Sequence, residues 1–157
     1  MHPNVDRVTA AATRAGLTIE VRHYPEGART AADAAAAIGC DVAQIVKSLV
    51  FMADEAPILA LVSGANLADT DALARELGAH EVRRATGKEA REATSYAIGG
   101  VPPFGHPEQL AVVIDRDLTS YDVVWAAAGL PDACFPIAPD DLVRVTGGRV
   151  ADIGVAG

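Results

Sequence analysis

Hydrophobic and polar residues alternate with two periods along this chain, and the period switches several times. Val5, Val8 and Ala12 recur at helical spacing, which predicts a helix over 4–15 stopped by Gly16. Residues 18–23 read as a strand closed by Tyr24-Pro25-Glu26-Gly27. A second helix is predicted over 30–38, with Thr30 as N-cap, Asp33 three residues on and Gly39 at its end. The runs 44–53 and 57–63 are strongly apolar and separated by Asp54-Glu55-Ala56, which predicts a central antiparallel hairpin.

Further on, the pattern predicts a helix over 68–77 ended by Gly78, a short strand over 80–84, and a helix over 86–93 started by Thr86 and Glu89. A Gly/Pro loop fills 99–107, and 110–115 reads as a strand. Residues 121–127 fit either period: Val123, Val124 and Trp125 favour strand, the alanines helix. After a turn at 129–132, a strand is expected over 133–137 and a helix from Pro139 to Val143, with 147–157 thinning into loop. Strands arriving both as hairpins and singly between helices imply an α/β or α+β architecture with a mixed sheet.

One residue breaks the pattern of the first hairpin strand. Ile45, Lys47, Leu49 and Phe51 share one face, and Val46, Ser48, Val50 and Met52 the other. Lysine is rarely buried without a partner, so Lys47 requires water in a cleft, a carboxylate, carbonyls or an anionic ligand. An edge-strand lysine snorkelling to solvent is the simpler alternative. The loop from Gly99 to Gly105 combines paired glycines and paired prolines. Such a loop can hold backbone N–H groups rigidly toward an oxyanion, or merely make a tight connection.

The length of 157 residues suits one domain over 1–157, and 50% hydrophobic with 22% charged residues describes a globular chain. A formal charge of −8 argues against broad adhesion to nucleic acid or anionic membrane. Arg83, Arg84, Lys88 and Arg91 are the best candidates for a local basic patch, with a solvated helix face as the preferred reading. Cys40 and Cys134 have no metal or redox spacing, and His2, His23, His80 and His106 are scattered, so no metal and no cofactor is expected. Asp115-Arg116-Asp117 reads as a solvated turn, and Asp69 and Asp71 as helix N-terminal charges. Reduced thiols, no signal-peptide pattern at Met1-His2-Pro3-Asn4 and no membrane-length apolar run predict a cytoplasmic protein.

Four segments occur in order: Thr30-Ala31-Ala32-Asp33-Ala34-Ala35, Gln44-Ile45-Val46-Lys47-Ser48-Leu49-Val50-Phe51, Leu61-Val62-Ser63-Gly64, and Tyr96-Ala97-Ile98-Gly99-Gly100-Val101-Pro102-Pro103-Phe104-Gly105. Together they resemble the YbaK/EbsC family, the prolyl-tRNA editing (INS-like) domain, over roughly residues 22–153. The resemblance implies a mixed, barrel-like sheet flanked by helices. It also implies trans-editing: hydrolysis of the ester of mischarged tRNA, most fittingly tRNA(Pro) carrying a small amino acid.

The resemblance implies a pocket lysine, which matches Lys47, and a pocket-lining loop, which matches Gly99, Gly100, Val101, Pro102 and Pro103; the chemistry of ester hydrolysis then suggests catalytic roles for Lys47 and for the backbone of Gly99, Gly100 and Val101. Thr30, Ser63, Gly64, Met52, Ile98 and His106 complete the expected substrate-binding set; Met52 and Ile98 are candidate walls, and His106 and Ser63 have ordinary loop and strand-end roles as alternatives. The family commonly has Thr-Gly-Tyr where this chain has Thr94-Ser95-Tyr96, so Ser95 stands where glycine is usual. The negative charge predicts weak, transient capture of the tRNA acceptor end, with a synthetase or elongation factor as candidate helper. A non-catalytic module of the same fold, binding a tRNA end, a nucleotide or a synthetase, is the alternative function.

Overall fold

The computed structural model describes residues 2–24 and 30–157, so the expected turn at Pro25-Glu26-Gly27 lies outside the described residues. Five helices are present among them: α1 (Pro3–Arg14), α2 (Ala31–Ile38), α3 (Thr70–Leu77), α4 (Gly87–Thr94) and α5 (Pro139–Thr146). The strands are β1 (Arg22–His23), β2 (Val46–Ala53), β3 (Ala56–Ser63), β4 (Asn66–Ala68), β5 (Val82–Arg84), β6 (Ala111–Asp115), β7 (Val124–Ala127), β8 (Ala133–Ile137), β9 (Arg149–Ala151) and β10 (Gly154–Ala156).

The central sheet has the order β5-β2-β3-β6-β9 and is mixed: β2 runs antiparallel to β3 and β5, whereas β6 runs parallel to both β3 and β9. The β2–β3 hairpin thus lies centrally, as its two apolar runs require. Val46, Val50 and Met52 pack into the larger core with Leu59, Leu61 and Ile114, while Leu49 and Phe51 join Ile58, Ala60 and Val62 on the other face. A second sheet, β1-β8-β7, touches the first through a parallel bridge between Ile45 and Trp125, and β10 pairs β4. The mixed sheet flanked by helices matches expectation. Among the described residues, however, strand pairing does not close it into a barrel.

Local chemistry explains the helix boundaries. Val5, Val8 and Ala12 are fully buried on α1. Capping boxes close α2 at Thr30 and Asp33 and α4 at Thr86 and Glu89. Asp69 caps α3 by accepting from the Ala72 amide at 3.1 Å. The ambiguous segment at 121–127 resolves into β7, where Val124 and Ala126 face the core.

Three expectations need correction. Only Arg22 and His23 of 18–23 pair as strand. Ala68 ends β4, and α3 starts at Thr70. The tail does not thin into loop: β9 extends the central sheet beside β6, and β10 covers β4.

The two-residue turn of the β2–β3 hairpin holds Asp54 and Glu55 at φ of 47° and 67°. Asp54 offsets that strain by accepting from the amides of His80 and Glu81, which ties the turn to the start of β5. Ser95, the C-cap of α4, sits at φ 68° in the left-handed region. A left-handed conformation costs a non-glycine residue roughly 1–2 kcal/mol, partly offset by the lower entropy of its unfolded chain. Ser95→Gly is therefore expected to stabilise the fold by about 0.5–1 kcal/mol, a rise of about 1–4 °C in Tm. Thermal denaturation of the two proteins checks this; a variant melting lower would contradict it.

Candidate active site

β2 is paired with β3 along all eight residues, but with β5 only from Phe51 to Ala53. The Val50 carbonyl accepts from the Ala85 amide at 3.0 Å. Backbone groups of alternate residues point to the same edge of a strand, so those of Val46 and Ser48 face the same way, past the reach of β5. Here the structure opens a cavity of about 320 Å³. The open edge of β2 forms one wall, Trp125 and Ala127 of β7 and Ala133 of β8 another, and Thr30, Ala31 and Ala34 of α2 a third. Ile98, Gly99 and Val101 close it from the Gly/Pro loop.

Two cations line this cavity, Lys47 and Arg84, and none of its described lining residues is Asp, Glu or His. Cross-strand pairing of Arg84 with Phe51 puts both on the Lys47 face of the sheet, where the Arg84 guanidinium lies 5.5 Å above the Phe51 ring. The half-buried Lys47 ammonium donates to the Asn66 carbonyl. Burial lowers its pKa below the ordinary lysine value; nearby Arg84 adds to that, and Asp115 opposes it.

A buried polar network positions Lys47 through Asn66. Asp115, 2% exposed, accepts from the Ser63 amide at 3.0 Å and from the Asn66 side chain at 2.9 Å. Its other oxygen accepts from the Asp117 amide, and Asp117 in turn accepts from Asn66 at 2.8 Å. Asp115-Arg116-Asp117 is therefore not a solvated turn: its first carboxylate is a buried anchor.

Of the residues expected at the site, Thr30, Lys47, Ile98, Gly99 and Val101 meet at the cavity. The others lie behind or away from its wall. The Gly100 amide donates to the Ala97 carbonyl, and a side chain there would press on the Leu130 backbone at 3.0 Å. Ser63 donates its hydroxyl to the Ala43 carbonyl. Gly64 packs where a Cβ would come within 2.4 Å of the Val42 carbonyl and 2.9 Å of Ala31, so its role is to let α2 approach the cavity. Met52 is buried in the core.

Pro102 is buried, and its carbonyl bonds the His106 ring at 2.8 Å. Pro103 and His106 line a separate cavity beside α1, and the Tyr96 hydroxyl donates to Gly105. These bonds hold the loop from behind. Sequence reasoning missed Arg84 as a cavity residue, along with Asn66, Tyr24 and Trp125; alternation on β5 carried a signal for Arg84 alone. Burial, and then a hydrogen bond with Cys134, push the Tyr24 phenol well above its usual pKa.

The basic segment loses one of its four cations to neighbouring carboxylates. Arg83 is held by Glu55 at 2.9 Å and Glu89 at 2.8 Å, which helps draw the Glu89 carboxyl down to about 2. Lys88 and Arg91 remain on the exposed face of α4. Among the described residues no cluster of three or more His, Cys, Asp or Glu is placed to hold a metal, and no helix is long and apolar enough to cross a membrane.

A mixed sheet with a cavity at an open strand edge, its described lining carrying two cations and no carboxylate, defines this α/β domain. The chain belongs to the aminoacyl-tRNA editing domain family, whose model matches residues 25–145. It is similar to a solved candidate trans-editing enzyme for prolyl tRNA synthetase, with a TM-score of 0.93, 43% identity and 99% of each chain covered. It is also similar to EbsC of Enterococcus faecalis, a candidate Cys-tRNA(Pro)/Cys-tRNA(Cys) deacylase, at 25% identity over 83% of this chain and 80% of that one. A proline–tRNA ligase of Pediococcus pentosaceus is 32% identical over 118 residues, which is 74% of this chain but 19% of the ligase. The family, the trans-editing enzyme and EbsC are aminoacyl-tRNA deacylases, hydrolases of an ester bond.

Two outcomes follow from the supporting network. Asp115→Ala leaves the Ser63 amide and the Asn66 side chain without their buried acceptor and is expected to cost about 2–4 kcal/mol in urea denaturation; a loss under 1 kcal/mol would contradict this. Burial lowers the His106 pKa from 6.5 more than the Pro102 bond raises it. The folded chain then binds fewer protons than the unfolded one below pH 6.5, so stability falls as pH drops through that window. Urea midpoints should decline more steeply for wild type than for His106→Gln between about pH 7 and 5.

Proposed function

We propose that this chain hydrolyses the ester joining a wrongly attached amino acid to tRNA, with tRNA(Pro) carrying a small amino acid as its substrate. The observation that carries this reading is the cavity beside β2, with Lys47 and Arg84 in its lining and no carboxylate among its described residues. Such a site suits a ligand with a phosphate and a developing oxyanion. Lys47 gives one N–H to Asn66 and keeps further donors for the terminal phosphate or the ester carbonyl. Arg84 adds a fixed positive field to the same face. The backbone of Gly99 and Val101 orients the acyl group at the opposite wall.

In this reading the attacking water is positioned by ordered solvent and by the substrate's own hydroxyl. Ala31, Ala34, Ala127 and Ala133 leave room, while Trp125 and Tyr24 limit it. This arrangement fits a small side chain, although one methylene changes binding by only about 1–3 kcal/mol. With a net charge of −8, the chain captures the acceptor end weakly and transiently in the cytoplasm, assisted by a synthetase or elongation factor.

The test compares wild type with Lys47→Ala on tRNA(Pro) mischarged with Ala, Cys or Ser. Loss of a donor that stabilises an oxyanion costs about 10²–10³ in kcat, and the variant should lose at least that while still unfolding cooperatively. Wild-type rates from a folded Lys47→Ala protein would overturn the role given to Lys47.

A further inference from the structure

The main cavity adjoins a shallow depression on α4. Ile98 belongs to both, forming the lip between them. Its side chain lies over Gly87, 3.7 Å from where a Cβ there would sit, and Ile98 is 51% exposed. Lys88, Arg91 and Glu92 line the depression beside it. Lys88 and Arg91 are three residues apart on a helix that turns Ala90 and Thr94 inward, so both project to the same side.

The charge state of this lip differs from that of its neighbour Arg83. Arg83 is neutralised by two carboxylates at 2.8 and 2.9 Å. Lys88 approaches only Glu92, at 3.9 Å with side chains 86% and 66% exposed, a pair worth little in water. Arg91 makes no hydrogen bond or ion pair among the described residues. In a chain of net charge −8, Lys47 and Arg84 therefore line the cavity on one side of Ile98, and Lys88 and Arg91 the depression on the other.

We infer that this lip is the docking surface for the RNA strand that continues beyond the ester. Lys88 and Arg91 meet its phosphates, and Ile98 packs against a terminal base. The inference rests on the editing reading, because an ester seated beside Lys47 must have its polynucleotide leave through the mouth that Ile98 borders. A folded protein partner suits the lip poorly: one exposed isoleucine flanked by two exposed cations lacks the apolar centre of a protein interface. A phosphodiester chain needs only spaced cations and an apolar shelf.

The test measures binding of a deacylated acceptor-stem hairpin RNA ending in CCA as a function of salt. Each phosphate contact contributes about 0.7–0.9 to the slope of log K against log salt. Lys88→Ala/Arg91→Ala should therefore reduce that slope by about 1.5 and weaken low-salt binding about tenfold or more. Ile98→Ser should weaken binding without changing the slope. Arg14→Ala/Arg149→Ala removes the same charge from the end of α1 and from β9, at the far edge of the central sheet, and should leave the slope in place.

An unchanged slope in the α4 variant, or equal losses in both double variants, overturns the inference. Binding is read without turnover, so the two readings fail separately. A wild type that binds the hairpin through this lip but hydrolyses no ester sinks the editing reading. One that hydrolyses esters with no contribution from Lys88 and Arg91 sinks only the docking surface.

Discussion

The unequal pairing of β2 governs this molecule. One edge of the strand is satisfied along eight residues by β3, while β5 covers only three residues of the other and the Ile45 bridge touches its start. A strand edge left open inside a protein carries backbone donors and acceptors that require partners. Here the unpaired stretch faces a cavity, so a polar ligand can take the place of a strand. Alternation then puts Lys47 at the same opening, with Arg84 brought alongside by the register of β5.

Holding a half-buried ammonium there takes support from several distant segments. Asn66 receives the Lys47 proton donor and is itself fixed by Asp115 and Asp117 from the end of β6. Gly154 lets β10 lie over this network, since a Cβ at that position would come within 2.5 Å of both Asn66 and Asp115. Gly64 lets the start of α2 close the cavity. The loop from Gly99 to Gly105 is pinned by Tyr96 and His106 on its far side, leaving Gly99 and Val101 at the near side. These groups prepare the site before substrate arrives, which is where electrostatic catalysis draws its advantage.

The features legible in the sequence were those set by neighbouring residues. The capping boxes at Thr30 and Thr86, the hairpin around Asp54-Glu55 and the isolation of Lys47 in an apolar strand all depend on spacing of four residues or fewer. Ser95 stands where glycine is usual in the family that the chain resembles, and the structure holds it in the left-handed region. What escaped depends on distant contacts. β9 and β10 are three residues each and pair with β6 and β4, so a glycine-rich tail gives no local sign of them. Asp115 looks like any acidic turn until Asn66 and the Ser63 amide are folded onto it. His106 and Met52 have residue types suited to a pocket wall, but the register and the course of the loop send them to other surroundings.

The account is tested most directly by multiple turnover. Wild-type protein at a small fraction of the concentration of mischarged tRNA(Pro) should release many equivalents of a small amino acid per protein, with correctly charged Pro-tRNA(Pro) left intact. Release capped at one equivalent, or no release from any ester by a protein that is demonstrably folded, would contradict the assignment of the β2 cavity as a deacylase site.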